Sequence, residues 1–559
     1  MKNTRFLALL LILALSLSFI VGCTDGTPPD TSAKDTTDAV TTAGNADETT
    51  GPVTDENGYE PLKYGDKRLT TTRVSVHDPS IVYEPNSGRY YLFGSHKAWA
   101  TSKNLAGWSD FNMMSLETDN KNLFAPNIAW SKHGSTDYDI EGNMWAPDVI
   151  YNEAMGKWCM YMSINGDNFY SSIVLLTSDK INGDYEYVGT IVYSGFRNQT
   201  ELAETDYEKV TGNTSIGRFV NGTFWNTDNG PNAIDPCVFY DADGDLWMSY
   251  GSWFGGIFLI RLDNNTGLRD LSVKYETSGR ECDEYFGYRI SGGFGGTGEG
   301  SYIVYDKAAG YYYLYVSYCG LSAASDNFNG YHIRLFRSKK VTGPYMDAAG
   351  NFAVLQSAGQ SQTQIGVKLF GNYTFSTLSG NGDTSENGYK SGGHNSAFID
   401  TDGQHYLVYH TRFNTGNEWH AVRVHQQFMN EDGWPVTAVY EHLGSVINKN
   451  GYSVDEIVGD YEFVDHGLSN DISLAGTGML RTDKVTLNAD GTITGDVTGT
   501  WEEVTGDDGN GYYVTMKIGS NKYKGVFFKQ YDESSSHTER MTFTLIGNND
   551  HSIWGSKIG

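Results

Sequence analysis

Residues Val76 to Ser95 read VHDPSIVYEPNSGRYYLFGS. An apolar run, a turn-rich EPNSG and a second apolar run closing on small or polar residues make a hairpin signature. The pattern returns four times: APDVIYNEAMGKWCMYMS from Ala146, DPCVFYDADGDLWMSYGS from Asp235, GSYIVYDKAAGYYYLYVS from Gly300 and HNSAFIDTDGQHYLVYHTR from His394. Superposed, the repeats place Asp78, Ala146, Asp235, Gly300 and His394 in one slot, with Glu299 one residue ahead of its slot.

The intervals are 68 (146−78), 89 (235−146), 65 (300−235) and 94 (394−300) residues, too long for a solenoid period but suited to sheet modules with unequal insertions. Further apolar segments, such as IFLIRLD from Ile257 and IRLFRSKK from Ile333, supply a third strand to their modules. Five such modules predict an all-β fold, a five-bladed β-propeller over residues 58–447 that closes near Val436 to Ile447. In that architecture the innermost strands start around one mouth of the central channel. Asp78, Asp235, Glu299 and His394 are thereby gathered from more than 300 residues of chain.

Outside the repeats the composition shifts. Lys2 and Arg5 precede FLALLLILALSLSFIV, a secretory signal rather than a membrane span, and the following Gly22-Cys23 resembles a bacterial lipobox. Residues 1–23 are therefore read as a lipoprotein signal with Cys23 as the lipidated residue, attaching the chain to the outer face of the cell membrane without crossing it. Residues 24–57 hold almost no large apolar side chain and are expected to form a disordered tether. After the propeller, short alternating strands such as KVTLNADGTITG and RMTFTLIG predict a small C-terminal β-barrel or sandwich over residues 448–559, to which no chemistry is assigned.

A formal net charge of −28 argues against nucleic acid and other polyanions as ligands and suits a neutral polysaccharide. The chain is read as a monomer. Cys159 and Cys237 fall in predicted strands, where free cysteine behaves as a small buried apolar group. Three carboxylates meeting at one mouth with no lysine or arginine in their slots cannot all ionise cheaply, so at least one pKa rises. An ionised base beside a protonated acid is what glycoside hydrolysis requires. His394 with the carboxylates offers a metal site as an alternative or addition, although zinc spacings such as H-E-x-x-H are absent. Trp145 and Trp253 beside these slots suit stacking on a sugar face. Asp148, two residues beyond its slot, is read as structural or as orienting Trp145.

Val76-His-Asp-Pro-Ser, Trp145-Ala-Pro-Asp, Asn232-Ala-Ile-Asp-Pro, Tyr250-Gly-Ser-Trp-Phe-Gly-Gly-Ile, Gly298-Glu-Gly-Ser-Tyr-Ile and Gly393-His-Asn-Ser, in that order, resemble glycoside hydrolase family 43, and within it the two-domain bacterial endo-α-1,5-L-arabinanases. The resemblance implies inverting single displacement, with Asp78 as general base, Glu299 as general acid and Asp235 raising the acid's pKa and orienting it. It further implies substrate contacts at His77, Trp145, Asn232, Ser252 and Trp253, and a channel calcium ion held by His394 and mostly water. Inversion calls for base and acid about 6.5–9.5 Å apart. Ser301 stands where the family commonly has proline or a small apolar residue, and the offset of Glu299 calls for a local bulge that re-aims it into the channel. The implied substrate is arabinan, the neutral side chain of pectin. An exo-acting arabinofuranosidase or β-xylosidase, or a surface sugar-binding protein without turnover, are the alternatives.

Overall fold

The computed structural model describes residues 68–114, 125–296, 298–320, 330–468, 479–480 and 482–558. The readings of residues 1–23, Cys23 and the tether lie outside the described residues. Each repeat forms the inner antiparallel hairpin of a sheet. Blade 1 comprises Ser80–Glu84, Arg89–Phe93, Ala98–Ser102 and Trp108–Met113, and blade 2 Pro147–Asn152, Lys157–Ile164, Ser172–Ser178 and Glu186–Tyr193. Blade 3 is built from Cys237–Tyr240, Leu246–Tyr250, Ile257–Arg261 and Gly287–Ser291, with Cys282–Asp283 added at its edge. Blade 4 holds Glu299–Asp306, Tyr311–Tyr318, His332–Ser338 and Val367–Lys368; blade 5 holds Tyr389–Ile399, His405–Phe413, His420–Met429 and Pro435–Thr437.

Successive inner strands pack on one another, and that of blade 5 packs on that of blade 1, which closes the ring of five. Closure uses side chains: Val74, Val76, Ile81 and Leu92 share one apolar cluster with Tyr406, Val408, Val422 and Val424. The second strand of every blade is almost wholly buried, because it lies between two neighbouring sheets. This explains its near-continuous apolar runs, whereas the exposed outer strand Trp108–Met113 buries only its first residue. Cys159 and Cys237 are buried free thiols, Cys159 on the second strand of blade 2 and Cys237 on the first strand of blade 3.

The C-terminal part is a closed antiparallel barrel of eight strands running from Gly459–Asp465 to Ser552–Lys557, the first strand pairing with the last. Closure leaves the barrel without a free edge. Its outer face joins the propeller: Val464, Val526, Phe528 and Trp554 belong to one buried cluster with Phe370, Tyr373, Phe428, Trp434 and Val436.

Candidate active site

Asp78 and Asp235 stand just before their inner strands, Gly300 is second in its strand and His394 lies midway along Tyr389–Ile399, and their backbone is unusual. Asp78, Asp235 and His394 have φ of 53°, 57° and 44°, and Gly300 has 56°. Non-glycine residues adopt this left-handed region at an energetic cost, and such residues concentrate where function holds them. The turn takes each amide out of its own ladder and toward the preceding blade. Asp235 N–H donates to Ser163 Oγ at 3.0 Å, His394 N–H to Ser317 Oγ at 2.8 Å, and Asp78 N–H to His410 Nδ1 at 3.2 Å. The three acceptors sit near the ends of the quoted repeats, on the second strands of blades 2, 4 and 5. Gly300 N–H instead donates to Asp235 Oδ2 at 3.2 Å.

Asp78 is buried. Its Oδ1 lies 2.8 Å from His77 Nδ1 and 3.1 Å from His394 Nδ1, and Ser95 Oγ donates to Oδ2. Burial pushes its pKa up, but His394 and His77 pull harder and hold it well below the usual carboxylate range. His410 Nδ1 already accepts the Asp78 amide, so it carries no proton there. Burial first, then His77, keeps its pKa well below the usual histidine range. Behind the pair, Arg412 places its guanidinium 3.3 Å from His77 Nε2 and is itself paired with Glu418 at 2.5 Å. A guanidinium only donates, so His77 Nε2 accepts and the ring's proton lies on Nδ1, facing Asp78.

Asp235 is also buried, and Oδ1 has no hydrogen-bond partner among the described residues. Burial raises its pKa; His394 opposes this while Glu299 and Asp78 add to it, leaving it at about 7. For His394, burial lowers the pKa, but Asp78, Asp235 and Glu299 bring it up to about 9. Asp78, Asp235, Glu299 and His394 therefore occupy one electrostatic neighbourhood.

Glu299 reaches that neighbourhood through the expected irregularity: the register of blade 4 shifts between Glu299 and Tyr302. Its Oε2 accepts Trp253 Nε1–H at 2.6 Å and Ser252 Oγ–H at 3.4 Å, and Oε1 accepts Tyr331 O–H at 2.7 Å. Gly300 admits no side chain here, since a Cβ would stand 2.8 Å from the His394 ring.

The remaining sequence-predicted residues divide. Ser252 and Trp253 hold Glu299, and His77 holds Asp78. Asn232 Nδ2 donates to Asn165 Oδ1 at 3.1 Å, and Asn232 pairs with Ser252 through an isolated bridge. Trp145, half-buried, donates from Nε1 to Gly142 O at 3.1 Å and is joined to Ala146 by a cis peptide. Asp148 stays with the framework: Oδ1 accepts Ser80 Oγ–H and Oδ2 accepts Val238 N–H, both at 2.6 Å, which ties blades 1, 2 and 3 together. Sequence reasoning missed Ser95, Tyr331, His410 and Arg412. Three of these stand inside or at the end of quoted repeats, so the recurrent polar ending was their signal; Tyr331 had none.

Comparison with known proteins gives concordant results. Residues 209–435 match "Glycosyl hydrolases family 43", and residues 440–555 match "C-terminal lipocalin-like domain". "Extracellular endo-alpha-(1->5)-L-arabinanase 2" of Bacillus subtilis is 36% identical over 494 residues, 87% of this chain and 93% of that protein. "Extracellular endo-alpha-(1->5)-L-arabinanase" of Thermotoga petrophila is 36% identical over 509 residues, 88% and 96% of the two chains. The crystal structure of the endo-1,5-alpha-L-arabinanase from T. petrophila RKU-1 superposes with a TM-score of 0.71 at 34% identity, covering 88% of this chain and 100% of that one.

Proposed function

The chain belongs to glycosyl hydrolase family 43, and from that membership we propose that it is an endo-arabinanase in which Asp78, Asp235 and Glu299 hydrolyse internal α-1,5-L-arabinofuranosidic bonds with inversion. The observation that carries this reading is the convergence of the three acids on His394, with Asp78 held ionised and Glu299 held by donors on both oxygens. Asp78 takes a proton from water as the water oxygen bonds the anomeric carbon. The bond to the glycosidic oxygen breaks, its electron pair stays on that oxygen, and Glu299 delivers the proton that completes the leaving hydroxyl. Asp235 steadies the Glu299-Gly300 bulge by accepting Gly300 N–H, and its negative charge opposes loss of the acid's proton.

The residues also fit the calcium ion implied by the resemblance. Asp235 Oδ1 is a buried acceptor without a partner among the described residues and would ligate a water-rich oxygen-bound cation, while His394, whose Nδ1 faces Asp78, would join it only by giving up its Nε2 proton. Such an ion would supply positive charge that offsets repulsion among the acids. Prolonged chelation is expected to lower activity and melting temperature; no change in either would remove the metal from the account.

An acidic enzyme suits neutral arabinan better than galacturonan. The two quoted relatives are named extracellular, in keeping with work outside the cytoplasm, and Gly22-Cys23 supports a lipid anchor testable by labelling with radioactive palmitate. Digestion of linear arabinan is expected to yield a ladder of oligosaccharides. Arabinose as sole product would move the enzyme to the exo class, and no release of reducing ends would contradict hydrolysis.

A further inference from the structure

Tyr331 is fully buried, and its hydroxyl donates to Glu299 Oε1 at 2.7 Å. Its ring is seated tightly, since a Cβ on Gly393 would stand 2.3 Å from it. The two oxygens of Glu299 are therefore treated differently. Oε2 faces Trp253 Nε1–H, which can only donate, together with the Ser252 hydroxyl. Both favour electron density on Oε2 and keep it as the carbonyl-type oxygen. Oε1 meets a phenol, which either donates or accepts, so Oε1 is the oxygen that can carry a proton without losing its neighbour.

We propose that Tyr331 is a positioning residue for the general acid: its hydroxyl fixes Oε1 as the oxygen that releases the proton, and stabilises the carboxylate formed as the glycosidic bond breaks. The role rests on the assignment of Glu299 as the acid. When the proton moves from Oε1 to the departing oxygen, negative charge develops on Glu299, and the Tyr331 O–H···Oε1 bond becomes charge-assisted. An interaction stronger in the transition state than in the ground state accelerates the step it accompanies.

The role has a signature that a packing role lacks. A sugar leaving group needs the proton, whereas a nitrophenolate leaves without it. Tyr331→Phe is expected to lower kcat/KM about tenfold to a hundredfold on linear arabino-oligosaccharides, the range of a lost hydrogen bond to a charged group. It should leave the rate on a nitrophenyl arabinotrioside within about threefold. The ratio of the two rates does not depend on how much of the variant is folded. Equal losses on both substrates, or no loss on either, would overturn the proposal. Glu299→Gln on the same pair separates the two levels: it should show the same leaving-group dependence, more strongly. If it does not, Glu299 is not the acid, and the role of Tyr331 falls with it. If it does while Tyr331→Phe does not, only Tyr331 is wrongly assigned.

Discussion

At the scale of single residues, the site depends on side chains whose backbones are forced into the left-handed region. Asp78→Ala should reduce turnover by about 10³- to 10⁴-fold while oligosaccharide binding persists, which calorimetry on the variant would check; an undiminished rate would remove the base. Gly300→Ala combines a positive φ with a methyl group 2.8 Å from the His394 ring. It should cost about 1–3 kcal/mol of stability, read by denaturant titration, and lower activity through displacement of His394. Asp78 and Asp235 were legible because they stand at the same place in a repeat, and Glu299 because it stands one residue ahead of that place, as was the bulge this offset requires. Tyr331 was not, because its place in the site follows from a tertiary contact with Glu299 and from no local pattern. Arg412 and Glu418 act through His77, one contact further from the chemistry than a motif reports.

At the scale of elements, the blade is the unit, and a side chain of one blade holds the slot of the next. Ser163→Ala leaves the buried Asp235 amide without its acceptor, at a cost of about 1–3 kcal/mol, and should also lower activity by loosening Asp235. Thermal melting and kinetics on the same preparation would check both, and an unchanged melting temperature would show that the bond contributes nothing. The hairpins were legible from the alternation of apolar runs and turn residues. The connections were not: Gln199–Ala203 and Tyr207–Thr211 are short helices in a segment whose Gly, Asn and Thr content indicates only a loop.

At the scale of the whole molecule, propeller and barrel are joined by buried charge as well as by apolar surface. Arg73 binds Glu441 through two hydrogen bonds of 2.5 and 2.6 Å and Asp383 at 2.7 Å, and Arg423 lies 3.4 Å from Asp383. Glu533 of the barrel accepts the Tyr389 hydroxyl and, at 3.1 Å, Glu441 N–H. Burial, then Glu441, raises the Glu533 pKa from 4.5 to about 7, so its contribution is present in acid and is lost as pH rises through about 7. For Asp383, burial raises the pKa but Arg423 and Arg73 bring it well below 3.8, so its contribution is present at neutral pH and is lost on acidification below that value. The junction should therefore be most stable near pH 4 and lose stability as pH rises from about 4.5 through 7. Melting temperature should fall from pH 6 to pH 8, and Glu533→Gln should flatten that decline; an unaltered slope would exclude Glu533 as its cause. Trp554→Ala, which empties the shared apolar cluster, should cost about 3–5 kcal/mol in a denaturant titration. Both β modules were legible in the sequence, but their junction was not, because partners such as Tyr389 and Glu533 stand 144 residues apart.

The central claim is that Asp78 as base and Glu299 as proton donor act on opposite sides of one bond in a single displacement. Proton NMR of the first minutes of digestion of linear α-1,5-arabinan tests it most directly. The account predicts that newly formed reducing ends appear first as the β-anomer and then equilibrate, whereas reducing ends that appear first as the α-anomer would contradict it.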